Sequence, residues 1–174
     1  MRMPCLVLGL TAASLLGSQD KDAAWKEYAS KEGRFVVLMP GVPVEQKENV
    51  KTPSGPIDLT MAVVERKKEE TAYLVIFSEF PEAVLKKGTA DQRLDYARNR
   101  AAASTKGKLT SEIKIRLGDY PGRELHLEVE GKGMVRLRMY AVKDRLYQLL
   151  VAGPKERALS KEADRFLTSF QMKP

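Results

Sequence analysis

ELHLEVEGKGMVRLRM, residues 124–139, holds the single histidine of the chain, His126, within an alternation of apolar and charged residues. In an extended segment Leu125, Leu127 and Val129 fall on one side, with Glu124, His126 and Glu128 on the other. Val135, Leu137 and Met139 alternate with Arg136 and Arg138 in the same way. A period of two marks a half-buried strand, and GKG (131–133) offers a short loop rich in the residue that tolerates positive φ. With GKG as a three-residue loop, Leu125 pairs with Met139, Leu127 with Leu137 and Val129 with Val135. One face is then wholly apolar. The other pairs Glu128 with Arg136, His126 with Arg138 and Glu124 with Tyr140. Opposite charges across a strand pair are weakly favourable, and a one-residue slip would turn them inward, so the faces are well specified. On this reading His126 and its ionic neighbours stay in water.

Working outward, the hairpin belongs to a predicted four-strand meander: LTSEIKIRL (109–117), GRELHLEVE (122–130), MVRLRMYAV (134–142) and LYQLLVA (146–152), joined by DYP, GKG and KDR. SKEADRFLTSF (160–170) follows, with Ser160 as N-cap and Ala163, Phe166, Leu167 and Phe170 at i, i+3, i+4 and i+7, an amphipathic helix. Before the meander, Thr89 and Gln92 form a capping-box pattern and Gly107 a stop. Between them Ala90, Leu94, Ala97 and Ala101 make a narrow stripe suited to close packing on a sheet. Upstream, RFVVLMP (34–40), PIDLTMAVVER (56–66) and AYLVIFSEF (72–80) read as strands, with GVPV (41–44) and KTPSGP (51–56) as turns. In PIDLTMAVVER, Ile57, Leu59, Met61 and Val63 face one way. Trp25 and Tyr28 are three apart, so one helical turn would place both on one side as a packing anchor or, alternatively, as exposed aromatics for a partner.

The chain has 174 residues, 43% hydrophobic and 30% charged, enough for one domain that needs no disulfide or metal staple. MRMPCLVLGLTAASLLGS (1–18) has a positive start, an apolar run from Leu6 to Leu16 and small residues at its end, the layout of a secretory signal peptide. The run is too short to span a bilayer. Residues 19–32 form a polar lead-in and 33–174 a single domain. Cleavage after Gly17 or Ser18 removes Cys5, leaves no thiol, and predicts an exported protein, periplasmic or extracellular, with no transmembrane span in the mature chain.

No motif for catalysis or cofactor binding is present: neither GxxxxGK[ST], GxSxG, HExxH nor a calcium loop occurs. Glu124, His126 and Glu128 are spaced about 7 Å apart along a strand face. A metal there would meet Arg136 and Arg138, which repel a cation. No catalytic residue, cofactor or metal ligand is therefore assigned. The net charge of +7 is spread along the chain and interleaved with acids, as in ERKKEE (65–70). Arg93, Arg98 and Arg100 project from the long helix away from its small-residue stripe. With Lys106, Lys108, Lys114 and Arg116 they offer an electrostatic surface for acidic polymers. Asp91 and Asp95 dilute it, and the aromatics or amides that read bases are lacking, so nucleic acid is disfavoured. Trp25, Tyr28, Arg93, Arg98, Arg100, Lys114 and Arg116 are the candidate partner-binding residues.

WKEYASKEGRFVVLMP (25–40) resembles the opening of PsbP/Mog1-like domains, and the succession of helix, antiparallel meander and FLTSF-type terminal helix is similar too. MPGVP (39–43) and YPGRELHLEV (120–129) also resemble small exported bacterial proteins of unknown function. The resemblance covers most of residues 24–171. It implies an α+β fold, an α/β/α sandwich around a mainly antiparallel sheet of six to seven strands with a central crossover helix and a C-terminal helix. It further implies a non-catalytic accessory or assembly module of the cell envelope. The alternatives are an enzyme with a pocket built from scattered residues, or a binder of acidic polymers.

Overall fold

The computed structural model describes residues 24–86 and 88–174. The proposed signal peptide, 1–18, lies outside the described residues. The elements run β1 (Lys26–Ser30), β2 (Phe35–Met39), β3 (Val44–Thr52), β4 (Gly55–Arg66), a short 3-10 turn, β5 (Thr71–Glu79), α1 (Glu82–Leu85), α2 (Ala90–Thr105), β6 (Lys108–Leu117), β7 (Tyr120–Val129), β8 (Gly133–Val142), β9 (Arg145–Gly153), α3 (Lys155–Ala158), α4 (Lys161–Thr168) and β10 (Gln171–Met172). A seven-stranded antiparallel sheet has the order β3-β4-β5-β9-β8-β7-β6, and a small sheet has the order β1-β2-β10. The α+β sandwich implied by the resemblance is present. Two contiguous meanders build the large sheet, and α2 carries the chain from one to the other.

Both faces of the large sheet are covered. On one face, Leu94 and Ala97 of α2 pack on Leu125, Leu127, Leu137 and Met139. The opposite face carries α4 and the small sheet, with Phe35, Phe166, Leu167 and Phe170 against Tyr73, Val75, Tyr147 and Leu149. The two longer helices, α2 and α4, therefore lie on opposite faces of the sheet, as a sandwich requires. Rows across the sheet on the α4 side show the logic. Ala62 pairs with Val75, Val75 with Leu149, Leu149 with Arg138, and Arg138 with Glu124. The row is apolar where aromatic side chains cover it and ionic under α4.

Several elements form as the sequence dictates. Thr89 accepts from the Gln92 amide while the Gln92 side chain accepts from the Thr89 amide, so two of the helix's orphan donors are satisfied. Lys106, in the left-handed region at φ 53°, closes α2 in place of Gly107. Ser160 caps α4 through the Ala163 amide, and Ala163, Phe166, Leu167 and Phe170 are buried. Each fully buried large apolar side chain contributes roughly 1.5–3 kcal/mol.

Other expectations change. Trp25 and Tyr28 do not share a helical turn; Tyr28 lies in β1, which pairs with β2. The strand within 34–40, β2 (Phe35–Met39), belongs to the small sheet and not the large one. The seventh strand of the large sheet is β3, whose VEQKENVKT is polar on both faces because it is an edge. In β4 the fully buried residues are Ala62 and Val64, opposite in parity to Ile57, Leu59, Met61 and Val63, which are half-buried.

Candidate functional site

The β7–β8 hairpin turns through Glu130, Gly131 and Lys132, with Gly131 at φ 68°, and pairs Val129 with Gly133. The predicted register is therefore two residues out. Leu125 faces Leu137, His126 faces Arg136, and Glu124 faces Arg138. A shift of two preserves every side-chain face but changes every partner.

The Glu124–Arg136 part of this hairpin's ionic face is not in water, whereas Glu128 is exposed. Glu124 is 7% exposed and Arg136 is 9% exposed, because α4 lies over them. Arg136 donates to Glu124 at 2.9 Å and to Asp164 of α4 at 2.7 Å. Arg138 also donates to Glu124 and, at 3.4 Å, to the Leu167 carbonyl at the end of α4. Burial pushes the Glu124 carboxyl up, but hydrogen bonds and charge from Arg138 and Arg136 outweigh it and hold it below the usual carboxylate range. His126 Nε2 lies 3.4 Å from the same carboxylate. A carboxylate occupied by two guanidinium groups is a poor proton acceptor for chemistry. The cluster works as a clamp that fastens α4 to β7 and β8. Among the described residues no three His, Cys, Asp or Glu side chains converge on a metal-sized site.

A second ionic cluster stands on the α2 side. Arg123, 6% exposed, reaches Asp91, Asp95 and Glu112, and Arg98 reaches Asp95 and Glu112. Arg98 thus faces β6 and β7 and does not project away from the sheet. Arg93 lies 5.4 Å over the Phe80 ring, and Arg100 is half-buried. Trp25 meets Tyr73 edge to face at 6.1 Å and carries the Arg165 guanidinium 4.7 Å over its ring. Tyr28 donates to Glu45 at 2.8 Å, linking the small sheet to β3, and its hydroxyl is pushed up to about 12 by burial and then by Glu45. Arg116 donates to the Gly118 and Asp119 carbonyls of its own turn, while Lys114 is exposed on β6. The seven candidate residues therefore fall in three places: Trp25 and Tyr28 on the aromatic side, the arginines of α2, and the edge strand.

That edge strand, β6, sets exposed apolar side chains beside exposed cations. Of five large apolar side chains left exposed among the described residues, Leu109 (37%) and Ile113 (53%) lie on β6. Lys108, Lys114 and Arg116 flank them, all exposed. β6 pairs only with β7, so one row of its backbone donors and acceptors is open. A bulge between Leu109 and Ser111 interrupts the ladder near its start. The sequence reading noted Lys114 and Arg116 but missed the apolar pair, because strand order decides which strand is an edge.

Two concave regions are also present among the described residues. One, of about 340 Å3, lies between Pro53–Ser54, α1 and the start of α2, with Arg93 in its wall. The other, of about 410 Å3, lies between Arg34, the β8–β9 turn and Lys173. No residue of the second was singled out from sequence: its cations are scattered along the chain and carry no local motif.

No family model matches the chain, and no curated protein matches it. Among solved structures, cyanobacterial PsbP (CyanoP) from Synechocystis sp. PCC 6803 is similar with a TM-score of 0.59 and 14% identity, over 90% of this chain and 98% of that one. A Pseudomonas aeruginosa protein of unknown function aligns with a TM-score of 0.37 and 11% identity, over 80% and 90% of the two chains. At that TM-score, over nearly the whole of both chains, the fold of this chain is that of a PsbP-like domain.

Proposed function

We propose that the chain is an exported, non-catalytic accessory module of the cell envelope that binds a partner protein by adding an acidic extended segment to the β6 edge. The observation that carries this reading is the conjunction on β6 of an open backbone row, exposed Leu109 and Ile113, and the cations Lys108, Lys114 and Arg116. Strand addition takes affinity from main-chain hydrogen bonds and specificity from alternate side chains. Lysines on an edge repel the same edge of another copy. They attract a strand with acidic residues on the matching face, so the edge discriminates by charge. A non-catalytic role agrees with the Glu124 cluster, whose ionised groups are spent on one another, and is an analogy with the accessory role of the fold elsewhere.

The test is capture of envelope proteins on immobilised protein, with Ile113→Glu and Lys114→Glu beside the wild type and Val44→Glu on β3, the opposite edge, as control. The expected result is one acidic partner retained at about 0.3 M salt, lost with both β6 variants and kept by the control. Retention by the β6 variants, or binding that vanishes by moderate ionic strength whatever stands at position 113, refutes strand addition and indicates an acidic polymer held by charge alone. Mass spectrometry of the mature protein tests export separately: an N-terminus after Gly17 or Ser18 is expected, and an intact leader in the envelope fraction refutes it.

A further inference from the structure

The cleft of about 410 Å3 beside the β8–β9 turn gathers Arg34, Lys143 and Lys173, three exposed cations from distant parts of the chain. Among the described residues none of the three makes an ion pair, whereas Arg66, Arg98, Arg123, Arg136 and Arg138 all do. Asp144 is the one acidic side chain in the lining. Like charges brought to one concavity repel, and they raise the local potential for an anion.

The cleft is framed by fixed contacts. The Lys173 amide donates to the Arg34 carbonyl at 2.8 Å, tying the last strand to the β1–β2 turn. Arg145 donates to the Glu32 carbonyl at 2.8 Å and the Tyr147 hydroxyl to the Gly33 carbonyl at 2.9 Å. Arg145 is thereby committed to the frame, and the other three cations remain for a ligand. Val142, Met172 and Tyr120 supply apolar and aromatic wall.

The backbone supplies a second, independent pointer. Arg34 (φ 52°) and Lys143 (φ 55°) are two of only four non-glycine residues with positive φ among those described. Such positions favour glycine or asparagine. Here both are filled by a cation, and both cations line one cleft. Strain retained at a position is a pointer to a site.

We propose that this cleft binds a dianionic phosphate monoester carried on a small planar apolar body, with Arg34, Lys143 and Lys173 on the phosphate and Tyr120, Val142 and Met172 against the body. Three unpaired cations match a dianion better than a carboxylate, and the arginine fork fits phosphate oxygens. The volume suits a small molecule. None of these residues lies on β6, so the inference does not depend on strand addition.

Phenyl phosphate, inorganic phosphate and benzoate serve as probes, titrated into 15N-labelled protein and read by amide shifts. Phenyl phosphate is expected to saturate with a Kd below about 1 mM, with shifts centred on Arg34, Lys143 and Lys173, and the other two probes at least about tenfold weaker. The deciding variants are Arg34→Gly and Lys143→Gly, since glycine accepts the left-handed backbone. Each should lose about fivefold or more in affinity while Tm stays level or rises, a pairing that a structural role for these side chains would not give. Absence of saturation by about 10 mM, shifts centred on Lys114 and Arg116, undiminished binding by the glycine variants, or equal affinity for inorganic phosphate or benzoate would each overturn the assignment.

Discussion

Asp164, in the first turn of α4, accepts a hydrogen bond from Arg136 of β8 at 2.7 Å, and the same guanidinium donates to Glu124 behind it. One arginine thus links the terminal helix to two strands of the sheet. The two acids differ in setting. The Asp164 side chain is 54% exposed, whereas that of Glu124 is 9% exposed. Solvent screens the first, and the second has only its partners.

Removing one partner of a buried ionic cluster leaves the others uncompensated, which costs about 3–5 kcal/mol. Glu124→Gln is expected to destabilise the fold by that amount in urea unfolding. Asp164→Asn is expected to cost about 1 kcal/mol or less, and His126→Ala to stay within a similar margin, since its 3.4 Å contact is long. A His126→Ala variant as damaged as Glu124→Gln would show that the imidazole carries the clamp.

The same carboxylate predicts a pH dependence. Its pKa is depressed in the folded protein, so the unfolded chain binds that proton more tightly. Its contribution is complete above the ordinary glutamate titration near pH ~4.3 and is lost as pH falls through the folded value. Stability measured from pH 6 downward should therefore bring wild type and Glu124→Gln together in acid. A gap between them that is constant with pH contradicts this.

Gly122 of β7 is a point of close approach. A Cβ there would lie 2.5 Å from Tyr140 Cδ1 and 2.6 Å from the Met139 carbonyl oxygen. The second neighbour is backbone of the adjacent strand and cannot swing aside. Gly122→Ala is expected to cost about 1–3 kcal/mol by overpacking, read as a lower thermal midpoint. An unchanged midpoint would mean that the β7–β8 spacing is looser than described.

Thr89→Ala removes one half of the capping box on α2 and should cost about 1 kcal/mol. Thr89→Ser should restore most of it, because the hydroxyl is the working group. Chemical denaturation of the three proteins decides the matter; equal stability of the alanine and serine variants would rule out the cap.

What sequence could disclose follows from how local each signal is. The caps at Thr89 and Ser160 and the stripe of Phe166, Leu167 and Phe170 are set within one or two helical turns, and the structure repeats them. The β7–β8 faces were legible because alternation survives a shift of two residues. Their partners were not, because Gly131 and Gly133 both accept positive φ and either could have set the loop. β3 escaped notice because both of its faces meet solvent and no alternation is imposed. The burial of Glu124 depends on α4 folding back over the hairpin, and the cleft depends on Arg34, Lys143 and Lys173 meeting through space. Neither leaves a trace in local spacing.

The order β3-β4-β5-β9-β8-β7-β6 has a kinetic corollary. Five of the large sheet's six strand pairings join strands that are neighbours in the chain, but the sixth, the seam of β5 with β9, joins Leu74 to Leu150 across α2 and the first three strands of the second meander. Closing so long a loop is slow compared with forming a hairpin. During synthesis the apolar rim of β5 must wait, unzipped, until β9 leaves the ribosome, so the first half of the polypeptide has no finished core of its own.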